Sequence, residues 1–443
     1  MLKVFTNFSV RLFDRYLPDP FVLVALITLT VFLAGMVFEG QSPVAMLDHW
    51  MGGFWMLHTF AMQMALILLT GFIVAKAPLF TRLVSVIAGY ARTPERAIML
   101  VTLISLIATW INWGIGLVIG AILARELARR VPKVDYRLLI ASAYSGFLIW
   151  HGGLSGAVPL TLATPGHFLE ESVGLIPTSQ TLLSNFNLLI VAALLIVLPL
   201  TNRLMMRGID TPVTLQELVP ETPPTRQGEE RNEETIRPAQ RLERSVWLAR
   251  LISIMGLAAL AVYALANGGG LNLDVVIFAM LFIGILLHGS LRHYLDCLQE
   301  GISGTSGVLI QFPFYAGIMG MMSASGLTSS IAEVFIDNAT AATLPVLSFL
   351  SAGFINIFVP SGGGQWAVQG PVLMEAAKAL NADISKVAMA FAWGDSWTNM
   401  LQPFWALPAL AIAGLKARDI MGFCAIILIV SGILIGGALV VSP

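Results

Sequence analysis

Residues Ile98 to Ala124 read IMLVTLISLIATWINWGIGLVIGAILA. The run carries no charge, and Trp110-Ile111-Asn112-Trp113-Gly114 interrupts its middle. Its flanks decide the fold. The stretch before it, 76–97, carries Lys76, Arg82, Arg92 and Arg96. The stretch after it, 125–137, carries Arg125, Arg129, Arg130, Lys133 and Arg137. Short loops rich in Lys and Arg stay on the cytoplasmic side of a membrane, so both flanks belong on one side. A single crossing violates that rule and a re-entrant hairpin satisfies it. Two arms of about 11 residues, about 16 Å each, reach roughly half-way through a hydrocarbon core of about 30 Å. Non-helical backbone at that depth is tolerated only where it is buried in protein or lines a polar cavity.

Composition sets the wider frame. The chain has 443 residues, 57% hydrophobic and 12% charged, with a mean hydropathy of +0.81. An ordinary soluble domain carries roughly 25% charge. Apolar runs recur at about 21–38, 53–75, 98–124, 138–165, 186–200, 247–266, 273–288, 301–326, 344–375, 387–412 and 421–440. No window alternates with the period of two that a membrane barrel needs, so the spans are helical. The first apolar run starts only after Pro18-Asp19-Pro20 and no small-residue cleavage site follows it, so no cleavable signal is expected. The net charge is −1 and no basic stretch exceeds a few residues, so nucleic acid is not expected as a partner. Two cysteines, Cys297 and Cys424, are too few for a disulfide framework and show no metal spacing.

The remaining loops orient the chain. Lys3, Arg11 and Arg15 place the N-terminus in the cytoplasm, and the 39–52 loop, with no Lys or Arg, lies outside. Loops 166–185 and 327–343 also lie outside; 289–300 and 413–420 lie inside. The two runs between 327–343 and 413–420 then allow one net crossing, and Pro360-Ser361-Gly362-Gly363-Gly364 marks 344–375 as a second hairpin, entering from outside. The fold class that follows is an all-α polytopic membrane protein. It is an inverted-repeat bundle of about nine transmembrane helices with two re-entrant hairpins and two broken helices. Residues 1–208 form the first repeat, with its hairpin near 98–124 and broken helix near 138–165. Residues 209–245, rich in Arg, Glu and Pro, form a disordered cytoplasmic linker. Residues 246–443 hold a connecting helix and the second repeat, with its hairpin near 344–375 and broken helix near 387–412. Four residue pairs share an offset of 244 positions: Asn112 and Asn356, His151 and Asp395, Ser155 and Asn399, Pro159 and Pro403.

Sites in such folds lie at the midplane between interrupted segments. The candidates for substrate contact are Asn112, Trp113, His151, Ser155, Asn356, Ser361, Gly362, Gly363, Ser396, Thr398 and Asn399. Asp395, with Asn112, Asn356 and Asn399, is the candidate for a coupling ion or proton. A carboxylate in an apolar span is costly and points to function; a helix cap before Ser396-Trp397-Thr398 is the alternative. His151 is either a proton relay or a neutral ring satisfied by a carbonyl. The asparagines either touch the ligand or serve tip turns, since Asn tolerates left-handed backbone. Ser361 and the three glycines read as an anion nest or as a flexible gate. Gln63 and Gln311 read as interhelical hydrogen-bond partners. Trp113, Trp150, Trp366 and Trp397 either wall an acyl pocket or simply pack.

Arg15-Tyr16-Leu17-Pro18-Asp19-Pro20-Phe21, Trp150-His151-Gly152-Gly153-Leu154-Ser155, Pro360 to Trp366 and Gly394-Asp395-Ser396-Trp397-Thr398-Asn399 resemble the bacterial short-chain fatty acid transporter family, over essentially the whole chain. That family falls within the ion transporter superfamily. The hairpin Asn and the Gly394–Asn399 piece are also similar to those of aminobenzoyl-glutamate transporters and, more distantly, of divalent-anion sodium symporters. The resemblance implies a homodimer with a scaffold domain and a moving, elevator-type transport domain. It also implies import of acetoacetate, butyrate and similar monocarboxylates across the bacterial inner membrane.

Cation symport, by H⁺ or Na⁺, fits such uptake, because each charge crossing costs or gains roughly 2.3 kcal/mol per 100 mV. Other small organic anions, such as dicarboxylates or aminobenzoyl-glutamate-like compounds, are the alternative cargo. An anion channel is a rival class, since paired half-helices also build pores. An enzyme is disfavoured by the absence of His-Glu-x-x-His and Gly-x-Ser-x-Gly motifs. No cofactor is expected beyond the coupling ion.

Overall fold

The computed structural model describes residues 20–218, 237–266, 268–357, 359–401 and 404–441. Lys3, Arg11, Arg15, most of the Arg15–Phe21 motif, Pro403 and the 219–236 part of the expected linker lie outside the described residues. Every regular element among the described residues is helical. The longer helices are α1 (Pro20–Phe38), α2 (Pro43–Gly53), α3 (His58–Ala75), α4 (Pro78–Ala88), α5 (Pro94–Ile111), α6 (Trp113–Arg130) and α7 (Tyr136–Ser145). A 3₁₀ segment, Gly146–Gly152, extends α7, and after a break come α8 (Ala157–Leu162), α9 (Asn185–Arg207) and α10 (Val246–Ala266). The second half holds α11 (Leu273–His288), α12 (Leu291–Gly301), α13 (Ser306–Ser325), α14 (Leu327–Asn338), α15 (Leu344–Asn356) and α16 (Gly362–Ala379). It ends with α17 (Ile384–Thr398), α18 (Leu407–Ala413) and α19 (Ala417–Val441). Eight helical stretches among the described residues are long and apolar enough to cross a membrane, which makes the chain a multi-pass membrane protein.

Local chemistry fixes the ends of these helices. Ser42, Thr93, Asp135, Ser184, Asn272, Ser290 and Asp383 each cap a helix by accepting from a backbone N–H of its first turn. Gly289 (φ +70°) and Gly326 (φ +96°) stop α11 and α13 in the left-handed conformation that other residues resist. These caps explain where the apolar runs mispredict the structure. The arms of the first hairpin have 18 residues each, about 27 Å at 1.5 Å per residue, rather than about 11. The Thr93-Pro94 cap starts α5 before the apolar run, and α6 continues through its polar last turns to Arg130. The stretches read as loops at 39–52, 76–97, 289–300 and 327–343 instead hold the short helices α2, α4, α12 and α14. They fall below the length of a span, so a search for apolar runs passes over them.

The order of elements recurs. The lengths of α1 to α9 run parallel to those of α11 to α19, with α10 between the two series. Packing recurs as well: α5 lies along α6 and α7, and α15 lies along α16 and α17. The two series also exchange partners, since α1 packs on α13 and α11 packs on α3.

Two ends can be told apart. At one end Lys378 Nζ donates to Ser172 Oγ at 2.9 Å and Gln41 Nε2 donates to the Ser325 carbonyl at 3.4 Å. At the other, Lys76 pairs with Glu300 at 2.5 Å, and the Tyr136 N–H donates to the Val213 carbonyl at 2.8 Å. Gln63 joins α3 to α11 by donating to Asp274 Oδ1 at 2.7 Å, the interhelical role expected of it.

Candidate functional site

Each hairpin tip docks on an interrupted helix. In the first half, Asn112 separates α5 from α6 in extended conformation, φ −157°, and its Oδ1 caps α6 by accepting from the Ile115 N–H at 3.1 Å. The left-handed turn considered for this residue is therefore not used. The neighbouring Trp113 N–H donates to Ser155 Oγ at 3.0 Å, and the Leu154 N–H donates to the Trp110 carbonyl at 2.7 Å. Gly153 makes that approach feasible, because a Cβ there would strike the Trp110 backbone.

In the second half, Asn356 closes α15. Its Nδ2 faces three acceptors: the Asp395 carbonyl at 2.9 Å, Thr398 Oγ1 at 3.0 Å and Asn399 Oδ1 at 2.9 Å. Asp395 lies inside α17, three residues before its end, so the reading of Asp395 as an N-cap is wrong. The break follows Thr398 instead. Ser361, read from the sequence as part of an anion nest or a gate, caps α16, its Oγ accepting from the Gly364 N–H at 3.3 Å.

The two docked units meet at one point. His151 Nε2 lies 3.2 Å from Asp395 Oδ1, and both side chains are fully buried. One of the four pairs that share the 244-residue offset, His151 and Asp395, thus touches. The ring N–H is not aimed at the carboxylate, and neither group makes a hydrogen bond among the described residues. Trp150 Nε1, Asn356 Oδ1 and Ser396 Oγ, on residues that adjoin the pair, are also buried without partners, as is Asn112 Nδ2 at the first hairpin tip. Native proteins leave few such groups, and each calls for an explanation such as a bound ion or ligand. A Cβ on Gly362 would lie 2.5 Å from His151 Nε2, so the first turn of α16 comes up against the pair. The N–H groups of that turn lack intrahelical acceptors and carry the positive end of the helix dipole. Gly363 faces elsewhere, with Phe60 and Phe312 within 3.3 Å of a Cβ built on it.

The aromatic residues divide. Trp113 and Trp150 lie edge to face at 5.9 Å, Phe147 stacks on Trp150 at 5.6 Å, and Trp405 meets Trp113 at 5.3 Å. Trp366 and Trp397 do not join them. Trp366 packs on Phe391 at 4.9 Å. Trp397 stacks on Phe349 at 4.9 Å and donates to the Leu428 carbonyl at 2.7 Å. Of the four tryptophans considered as an acyl wall, two are therefore at the site and two pack elsewhere.

Two further residues bind the broken helices together, and a third ties the second hairpin. Asn187, in α9, donates to the Gly152 carbonyl at 3.1 Å and accepts from Trp393 Nε1 at 3.1 Å. The Tyr144 hydroxyl donates to the Asn399 carbonyl at 2.8 Å. Gln365 donates to the Ala352 carbonyl at 2.8 Å, tying the arms of the second hairpin together.

The sequence model of the short chain fatty acid transporter family matches residues 1–442. The chain belongs to the short chain fatty acid transporter family. An Escherichia coli K12 protein is 45% identical over 98% of both chains, and a Haemophilus influenzae protein is 43% identical over 96% of both. Both carry the same provisional name, short-chain fatty acid transporter. The fold is similar to that of the YdaH transporter of Alcanivorax borkumensis, at TM-score 0.57 and 15% identity, over 95% of this chain and 98% of that one. It is also similar to MtrF of Neisseria gonorrhoeae, described with a class of antimetabolite efflux pumps, at TM-score 0.53 and 14% identity, over 98% and 96%. At such identities the likeness is one of fold alone. The family is a transporter family, and nothing in its description indicates catalysis.

Proposed function

We propose that this transporter imports short-chain monocarboxylates such as butyrate and acetoacetate by symport with H⁺ or Na⁺. The observation that carries the reading is the buried His151–Asp395 pair, set among unpartnered polar groups where two hairpin tips meet two interrupted helices. A bound carboxylate suits the free N–H groups opening α16 and the Trp150 indole N–H. The Trp113, Phe147, Trp150 and Trp405 cluster suits a short acyl chain. An anionic substrate beside an ionised Asp395 would bury two like charges, which is prohibitive without compensation. A proton on the carboxylate, or Na⁺ held by Asp395 with Ser396 and Asn356 oxygens, removes the conflict and couples the two fluxes.

The architecture supports alternating access. In this reading 1–208 and 246–443 are inverted repeats joined by a cytoplasmic linker at 209–245, with α10 providing the change of direction. The hairpins are re-entrant from opposite faces. Together with α7, α8, α17 and α18 they form a transport domain that moves, elevator-fashion, against a scaffold in a homodimer. The basic residues gathered at the end holding α4 and α12 support the reading that this end, and with it the N-terminus, faces the cytoplasm of a bacterial inner membrane.

The test is uptake of labelled butyrate into proteoliposomes under an imposed Na⁺ gradient or an imposed pH gradient. Accumulation with one gradient identifies the ion, and Asp395→Asn abolishes accumulation while the protein stays folded. Equal accumulation by the Asp395→Asn variant overturns the role given to Asp395. No accumulation under either gradient overturns symport.

A further inference from the structure

We propose that the cleft between α4, α6 and α18 is a binding site for a phosphate group, separate from the transport site. It is a cavity of about 260 Å³ whose polar lining is Thr81, Ser85, Arg125, Glu126 and Arg129. Arg125 reaches the Ile412 carbonyl of α18 with one Nη at a long 3.4 Å, while its Nε is buried without a partner. Arg130 stands at the rim, donating to Glu126 Oε1 at 2.8 Å and to Ser85 Oγ at 3.0 Å. Arg129 is only loosely held, 3.9 Å from Glu126. Arg129 and Arg130 thus share the one Glu126 carboxylate, and Arg125 beside them makes no ion pair among the described residues, which leaves a net positive charge in a half-open cleft. Arg129 and Arg130 stand partly in solvent, while the Arg125 Nε at the cleft wall is shut off from it without a partner. A guanidinium presents its Nε and Nη donors as a planar fork that matches two oxygens of a phosphate. Thr81 and Ser85 add hydroxyl donors at the same wall.

The cleft does not belong to the site around His151. Arg125 lies some twelve residues along α6 from Trp113, roughly 18 Å at 1.5 Å per residue. Two sources carry the same chemistry: the headgroup phosphate of an anionic membrane lipid, and free inorganic phosphate. The lipid has a place for its chains, because Leu79, Leu83 and Val86 of α4 are exposed. Occupancy ties α4 and α6 to α18, the segment that follows the break after Asp395.

The full-length protein, purified in a neutral detergent, is titrated with phosphatidylglycerol, phosphatidylcholine or inorganic phosphate. Thermal unfolding and retention of lipid in native mass spectrometry are the readouts. Stabilisation by phosphatidylglycerol and not by phosphatidylcholine assigns the lipid source; stabilisation by inorganic phosphate alone assigns the free anion. Arg129→Gln raises the apparent Kd about tenfold, as loss of one charge-assisted hydrogen bond does. Thr81→Val and Ser85→Ala raise it less. Arg125→Gln also loses the Ile412 bond, so Arg125→Lys, which keeps the charge but not the fork, is measured beside it and binds more weakly than wild type. Arg92→Gln, a cation that does not line the cleft, leaves the Kd unchanged. The proposal is overturned if no ligand stabilises the protein, or if Arg92→Gln weakens binding as much as Arg129→Gln. These readouts do not involve uptake, so they stand or fall apart from the transport reading.

Discussion

Replacing Asn356 tests whether the second hairpin is docked by side-chain chemistry. Its Nδ2 has two hydrogens for three acceptors at 2.9 to 3.0 Å, all buried. Asn356→Ala removes about two net hydrogen bonds and strands buried acceptors, which costs roughly 2–4 kcal/mol. Every 1.4 kcal/mol is tenfold, so opening at this contact becomes about 30- to 700-fold more frequent. Asn356→Asp is worse, because it turns a carboxylate oxygen toward three oxygens in a buried site. Hydrogen exchange over residues 394–401, measured with the purified protein, reads the opening directly. The expected order is wild type slowest, Asn356→Ala faster and Asn356→Asp fastest, with uptake falling in the same order. Unchanged exchange together with lost uptake would refute the docking role and make Asn356 a ligand contact.

Gly362→Ala places a methyl 2.5 Å from His151 Nε2 and 2.7 Å from the Trp150 ring. Trp150 is held by Phe147, so the overlap costs about 1–3 kcal/mol; uptake is lost while thermal unfolding shifts by only a few degrees. Ser361→Cys in sealed vesicles reacts with an impermeant thiol reagent from the outside only, and reaction solely from the cytoplasmic side contradicts the second hairpin's direction. His167 accepts from the Leu169 N–H on Nδ1 at 3.2 Å and contacts the Gly174 carbonyl through Nε2 at 3.2 Å, a pattern that needs the neutral ring. Burial holds its pKa below the ordinary 6.5, so these contacts are intact at pH 6.5 and are lost only as pH falls through the lowered folded-state value. Hydrogen exchange over 167–174 accelerates on acidification in wild type and shows no such pH dependence in His167→Gln.

The centre of the molecule was legible because polarity is scarce there. Asn112 is the one amide in an uncharged run of apolar residues, and Asp395 and His151 stand out in the same way. The shared offset also paired His151 with Asp395, which touch in space. Helix ends were less legible, since Thr93, Asp135 and Asp383 act through caps that hydropathy does not register. Tryptophans were legible only as a residue type. Trp397 is two residues from Asp395, about 200° around the helix, so it must face away from what Asp395 faces. Asn187 was missed because a polar residue in the first turn of a span looks ordinary, although it joins both broken helices.

The exchange of partners between the two series bears on how the chain is assembled. Helix α1 rests on α13, and α3 rests on α11. The first apolar helix to leave the ribosome therefore waits in lipid until synthesis has passed residue 325. Helix α11 also rests on α10 of its own half, whereas α1 finds its main partner only across the series, so a chain cut within 219–236 is expected to yield a first fragment whose α1 is loosely held until the second fragment is made with it.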